Sequence, residues 1–204
     1  MTVGAFIDET SLKLTGPGGG SVAALCGSLA SGLTSMVGNL TVGKEKYKDN
    51  WAAMEKVFKE SEILRASFVK LMNDDTESFN VFMAAMKMPK DTDEQKAARR
   101  AAMAEASKTA TDVPLRTLEA CAVAARLACE AASFGNPNAA SDAGSAALLA
   151  DAAGKAASYN VRINLPGVKD EVFAAECRMR MAKALEEIAG YSAKTAAKME
   201  EALG

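Results

Sequence analysis

Between residues 51 and 88 the apolar positions recur with a period near 3.6, and Met54, Val57, Leu64, Phe68, Leu71, Phe79, Phe82 and Met86 fall on one stripe of a helix. Asp75 lies one turn after Leu71 and one turn before Phe79, so the pattern places a carboxylate at the centre of the buried face. Its neighbours Asp74 and Glu77 turn outward. Desolvation disfavours an ionised carboxyl and raises its pKa, whereas nearby cations oppose the shift. The residue is therefore either an internal salt-bridge or helix-capping partner, or a general acid or base tuned to work near neutrality.

The same reading gives helices along the rest of the chain. A short helix over residues 3–14 ends at Gly16-Pro17-Gly18-Gly19-Gly20, and Ser21 caps a second helix over residues 21–42. That second segment carries no charge and is long enough to cross a bilayer. Its polar side chains, among them Ser21, Ser28, Thr34, Asn39 and Thr41, and the charged faces of the other helices mark it instead as the central helix of a soluble bundle. A stripe of Ala24, Ser28, Ser31, Ser35 and Gly38 admits a close neighbour.

The third helix ends near Met88, ahead of Pro89. Thr92 and Gln95 form a capping box that opens a fourth helix to about residue 110. Thr111-Asp112-Val113-Pro114 marks either a kink or a restart capped by Asp112, and a fifth helix then runs to Phe134. After Gly135-Asn136-Pro137-Asn138, with Asn138 as cap, comes a small-residue helix over residues 139–162. A last amphipathic helix is capped by Asp170 and runs to Leu203. No convincing strand alternation occurs. The expected fold is one all-α domain over residues 1–204, an antiparallel bundle with two small-residue-rich inner helices and long amphipathic outer ones.

Composition narrows the chemistry. With 24 basic and 26 acidic residues, neither a nucleic-acid footprint nor a polyanionic tail is implied. There is no histidine, which removes zinc triads, Ser-His-Asp relays and Cys-His pairs, and leaves proton transfer to Asp, Glu, Lys, Tyr or Cys. Cys26, Cys121, Cys129 and Cys177 show no CxxC spacing and read as reduced cytosolic thiols. The opening MTVGAFIDET lacks the basic and apolar regions of a secretion signal. A cytoplasmic protein with no metal, cofactor or membrane partner is expected.

Three polar clusters could meet at a site. Gly18, Gly19, Gly20 and Ser21 lead into a helix N-terminus, which favours an anion or a polar carbonyl, although such loops are usually only turns. Lys44, Lys46 and Tyr47 form a short basic run, either a solvated turn, a seat for a carboxylate tail or a source of a cation that adjusts a nearby acid. Asn136, Asn138, Ser141 and Asp142 make a third cluster, with Asn160 and Asn164 one turn apart farther along. Buried amides need partners, and amide pairs suit a heterocycle with edge donors and acceptors.

Taken in order, PGGGSVAAL (17–25), MVGNLTVGKEKY (36–47), NDDTESF (73–79), MKMPKDT (86–92), TDVPL (111–115), GN and SDAG around Asn136 and Asp142, and YNVRINL (159–165) resemble the cyclodeaminase-like folate enzymes. These include formiminotetrahydrofolate cyclodeaminase and the bacterial methenyltetrahydrofolate cyclohydrolases. The resemblance covers nearly the whole chain, although Glu45 interrupts an otherwise basic stretch. It implies an all-helical, homodimeric, cytosolic enzyme of tetrahydrofolate one-carbon metabolism with its catalytic acid at Asp75. A free-standing domain of this size is similar to the cyclohydrolase branch.

That resemblance implies hydrolysis of 5,10-methenyltetrahydrofolate to 10-formyltetrahydrofolate. The alternative is the cyclodeaminase reaction, which expels ammonia as the methenyl ring closes. A non-enzymatic helical interaction module also explains the composition, but it gives no reason for Asp75 or for the polar clusters.

Overall fold

The computed structural model describes residues 2–12 and 16–204. Among them are six α-helices and no strand: α1 (Val3–Ser11), α2 (Gly19–Asn39), α3 (Trp51–Met86), α4 (Asp93–Phe134), α5 (Ala140–Asn164) and α6 (Glu171–Leu203). Short 3-10 turns at Glu45–Asn50, Pro137–Ala139 and Leu165–Gly167 join them.

Contacts at the two ends of α2 fix the direction of its neighbours. Gly19 lies against Asn160 near the end of α5, whereas the Leu40 carbonyl accepts from Asn136 just before α5 begins, so the two helices are antiparallel. α3 starts at this second end, where the Trp51 indole donates to the Lys44 carbonyl at 3.1 Å, and reaches Ser21 of α2 at Asp75. α6 starts where Lys108 meets Asp170 at 3.0 Å and ends with Met199 against Gly144. The all-α antiparallel bundle expected from the sequence is present.

Small side chains make this packing possible. Ala24, Ser28, Ser31, Ser35 and Gly38 of α2 are all buried, and a Cβ at Gly27 would collide with the buried Phe68 ring of α3. On α5, Ala143, Ala146, Ala150, Ala153 and Ala157 are buried in the same way. The latter half of α4 joins them with Leu115, Leu118, Ala124, Ala125 and Ala128, so α4 passes from an exposed amphipathic start into the interior. α2 is the one helix among the described residues long and apolar enough to cross a membrane, yet most of it is buried in the bundle.

Several boundaries differ from the sequence reading. α1 ends at Ser11, and its expected end at Leu14 falls outside the described residues. α2 begins at Gly19 with Gly18 as its cap, so Ser21 is an interior residue. α3 stops at Met86. Phe79 and Met86, expected on the buried stripe, are 42% and 41% exposed because the stripe's last turns leave the core. The Thr92–Gln95 capping box and the Asp170 cap are present. Asn138 is not a cap; the Asn136 side chain accepts its N–H instead, at 3.0 Å.

The largest departure is at Pro114, where α4 continues without a break across a predicted kink or restart. Proline has no N–H to offer the carbonyl four residues earlier, which here belongs to Ala110. That carbonyl accepts instead from the Asn164 amide at 2.6 Å. A side chain from α5 thus fills the gap that the proline leaves.

Candidate active site

A pocket of about 490 Å³ opens where the start of α2, the last third of α3, the 107–110 turn of α4 and the end of α5 converge. Gly16 to Gly20 form one rim, Phe79, Phe82 and Ile163 the apolar wall, and Asp75, Thr76, Ser78, Ser107, Asn160 and Asn164 the polar lining. Among the described residues, no lysine or arginine lines it.

Asp75 enters from α3 and meets the N-terminus of α2. The Ser21 hydroxyl donates to Asp75 Oδ2 at 2.7 Å, and it lies 3.3 Å from the Thr76 hydroxyl. Ser21 is fully buried, which excludes competing water from this bond. The first α2 helical bond runs from the Val22 N–H to the Gly18 carbonyl at 2.9 Å, which leaves the Ser21 N–H without a helical acceptor and free to act on this carboxylate. The capping reading of Asp75 therefore describes part of what it does.

Burial raises the Asp75 carboxyl above its ordinary range, and the Ser21 hydroxyl, followed by the Ser21 N–H, pulls in the opposite direction. Among the described residues, none of the groups that shift it is a cation. Close approach of the backbone is required here, since a Cβ at Gly20 would overlap the Asp75 carboxylate. Asp74 turns away as expected and pairs with Lys70 at 2.7 Å.

The two asparagines use the same half of their amides. Asn160 Nδ2 donates to the Ala156 carbonyl at 2.9 Å, and Asn164 Nδ2 to the Ala110 carbonyl. A carbonyl accepts only from the NH₂ side, so these bonds fix both amide orientations and leave each Oδ1 as an acceptor without a partner among the described residues. The polar lining is consequently rich in acceptors.

Of the residues singled out in the sequence, Gly18, Gly19, Gly20, Ser21, Asp75, Asn160 and Asn164 come together. Lys44, Lys46, Tyr47, Asn136, Ser141 and Asp142 do not reach this pocket within one chain. They gather at the far end of α2, about 30 Å away at 1.5 Å per residue. There Tyr47 donates to Asn136 Oδ1 at 2.8 Å, while Asn136 donates to Leu40 and, through its N–H, to Thr41. Asn136 is thus committed to bracing the chain reversal. Lys46 stands 5.5 Å over the Tyr47 ring, and Lys44 is exposed.

The sequence reading missed Thr76, Ser78, Ser107 and Ile163. The first two follow Asp75 within one helical turn, and that proximity was the available signal. Ser107 and Ile163 carry none, because only the packing of α4 on α5 brings them in. Among the described residues, no group of three His, Cys, Asp or Glu side chains is arranged to hold a metal ion.

The fold and site are those of a helical bundle with a pocket built around a half-buried carboxylate. The chain belongs to the formiminotransferase-cyclodeaminase family, whose pattern it matches over residues 2–183. It is 44% identical over 175 residues to the methenyltetrahydrofolate cyclohydrolase of Methylorubrum extorquens, covering 86% of this chain and 84% of that one. It is 35% identical over 182 residues to the formimidoyltransferase-cyclodeaminase of Sus scrofa, which covers 89% of this chain but only 34% of that much longer protein. The crystal structure of formiminotetrahydrofolate cyclodeaminase from Thermotoga maritima superposes with a TM-score of 0.90 at 28% identity, covering 100% of this chain and 98% of that one.

Proposed function

We propose that this chain hydrolyses 5,10-methenyltetrahydrofolate to 10-formyltetrahydrofolate, with Asp75 moving the protons. The observation that carries the reading is the half-buried Asp75, held by Ser21 with a raised pKa, in a pocket whose polar lining offers acceptors and, among the described residues, no cation. The substrate's amidinium, the carbon bridging N5 and N10, is a cation, and a carboxylate in a partly dry pocket attracts it. Similarity to the Methylorubrum cyclohydrolase along most of both chains supports the same choice.

In the proposed mechanism, ionised Asp75 takes a proton from water as its oxygen bonds to the amidinium carbon, which gives a neutral carbinolamine. The protonated carboxyl then donates to N5 as the carbon–N5 bond breaks, and the carbinol proton leaves to solvent as the formyl C=O forms on N10. One proton is released overall. A single carboxyl of raised pKa serves as base and then as acid. Written this way, the reaction needs no metal or cofactor, and the activity should be unaffected by chelator.

The cyclodeaminase names of the Sus scrofa and Thermotoga maritima relatives support a second reading, in which formiminotetrahydrofolate loses ammonia at the same pocket. A parallel assay separates the two. Loss of methenyltetrahydrofolate absorbance above the spontaneous rate supports the proposal. Ammonia release from formiminotetrahydrofolate alone would transfer the assignment to the alternative, and turnover of neither would end both.

Ser21 gives a prediction about pH. Its hydrogen bond favours ionised Asp75, so Ser21→Ala should raise the Asp75 pKa further, and the acid-side fall of kcat/KM should move to higher pH. A limb that stays in place, or moves to lower pH, would show that Asp75 does not set it.

The protein is proposed to work as a cytoplasmic homodimer. Val22, Leu29 and Met36 of α2 and Leu148, Tyr159 and Ile163 of α5 leave apolar surface uncovered, from 38% at Val22 to 76% at Ile163. Ile163 also borders the pocket. An isologous contact through this face with α2 helices antiparallel would carry the partner copy's basic turn toward the Gly18 end. Light scattering at micromolar concentration should give a dimer; a fully active monomer would contradict the proposal.

A further inference from the structure

Pro114 and Asn164 are 50 residues apart in sequence and do not share a helix, yet one backbone atom links them. Proline at position 114 leaves the Ala110 carbonyl without its helical donor, and the Asn164 amide takes that place at 2.6 Å. Both Ala110 and Asn164 line the pocket. Any other residue at 114 would bring an N–H to Ala110 and compete for the acceptor that holds the amide in orientation.

We infer that Pro114 is a positioning residue, which by withholding an N–H recruits the Asn164 amide to Ala110 and so fixes Asn164 Oδ1 as an acceptor for a ring-edge N–H of the substrate. It touches no reacting atom and acts only through Asn164. The inference rests on the folate reading for its ligand, whose reduced pterin carries N–H donors along one edge. It rests on the structure alone for the clamp.

The geometry also accounts for a proline within a helix otherwise unbroken for 42 residues. A proline in a helix interior is costly, and the Asn164 bond satisfies the carbonyl that it orphans. Asn160 is held differently, by a carbonyl of its own helix, so the dependence on Pro114 belongs to Asn164 alone.

The test is Pro114→Ala, with a second variant that carries lactic acid at position 114. The lactate ester removes the N–H without supplying a ring. In Pro114→Ala, the side-chain amide NMR signals of Asn164 should shift from a bonded to a more mobile pattern. KM for methenyltetrahydrofolate should rise roughly three- to tenfold with kcat nearly kept, as loss of one neutral hydrogen bond implies. The melting temperature should stay level or rise, since a helix breaker has gone.

The lactate variant should return both the amide signals and KM to parent values. Pro114→Ala combined with Asn164→Ala should raise KM no more than Asn164→Ala alone. Unchanged Asn164 signals in Pro114→Ala, or a lactate variant that behaves like Pro114→Ala, would overturn the inference. If the parent protein does not turn over the folate, the folate reading fails, while the amide signals still decide the clamp.

Discussion

Asp75→Asn should cost roughly a hundred- to ten-thousand-fold in turnover, with substrate binding and fold retained. The amide oxygen of asparagine can still accept from the Ser21 hydroxyl, which donates to Asp75 Oδ2 at 2.7 Å in the parent, so the contact between α2 and α3 survives. What is lost is the ability to take a proton from water and return it to N5. The melting temperature should hold, because burial already disfavours the charge that the substitution removes. Asp74→Asn is the control: that side chain points about 100° away around the helix, paired with Lys70, and its loss should change little. A variant at position 75 that keeps most activity but melts earlier would make the carboxylate a helix-capping partner only.

Gly20→Ala should be nearly as damaging, by a different route. A Cβ there would overlap the Asp75 carboxylate, whose carboxyl carbon lies 2.6 Å from the added atom's ideal position. Either Asp75 leaves Ser21 or α2 moves away from α3. The expected result is a loss of roughly a hundredfold or more in turnover, together with about 1–3 kcal/mol of stability from overpacking. Thermal melting and initial rates on the same preparation measure both. The control for stability is Gly190→Ala within α6, because a Cβ at Gly190 meets nothing within 4 Å and should leave the melting temperature level or raise it. A fully active Gly20→Ala protein would mean that the carboxylate position does not matter to the reaction.

What the sequence revealed and what it hid divide along a physical line. Local signals were legible: the Thr92–Gln95 box, the Asp170 cap and the stop at Gly135 depend on residues within one turn, and all are present. Asp75 was legible because one charged residue breaking an apolar stripe is a local anomaly.

The start of α2 was misread. Ser21 looks like a cap, but its hydroxyl is used by Asp75, 54 residues later, and Gly18 caps the helix instead. The continuity of α4 through Pro114 was hidden for the same reason, since the group that compensates the proline comes from α5. Which polar clusters meet was not legible either. Gly18–Ser21 and Asn160 share an end of the bundle, whereas Tyr47 and Asn136 share the other, and only the antiparallel run of α2 and α5 decides this. Phe79 and Phe82 fit the helical period but line the pocket, because a period identifies a face and not what covers it.

The most direct test of the central claim, that Asp75 is the proton-transferring group, is the pH dependence of kcat/KM for methenyltetrahydrofolate in the parent and in Asp75→Asn, after subtraction of the spontaneous reaction. A base must be ionised to act, and burial raises this carboxyl, so parent activity should fall on the acid side at a pH above the ordinary aspartate range. In Asp75→Asn that limb should disappear from the small residual rate. A limb that persists unchanged in Asp75→Asn, or a parent limb at the pH of an unperturbed aspartate, would contradict the account.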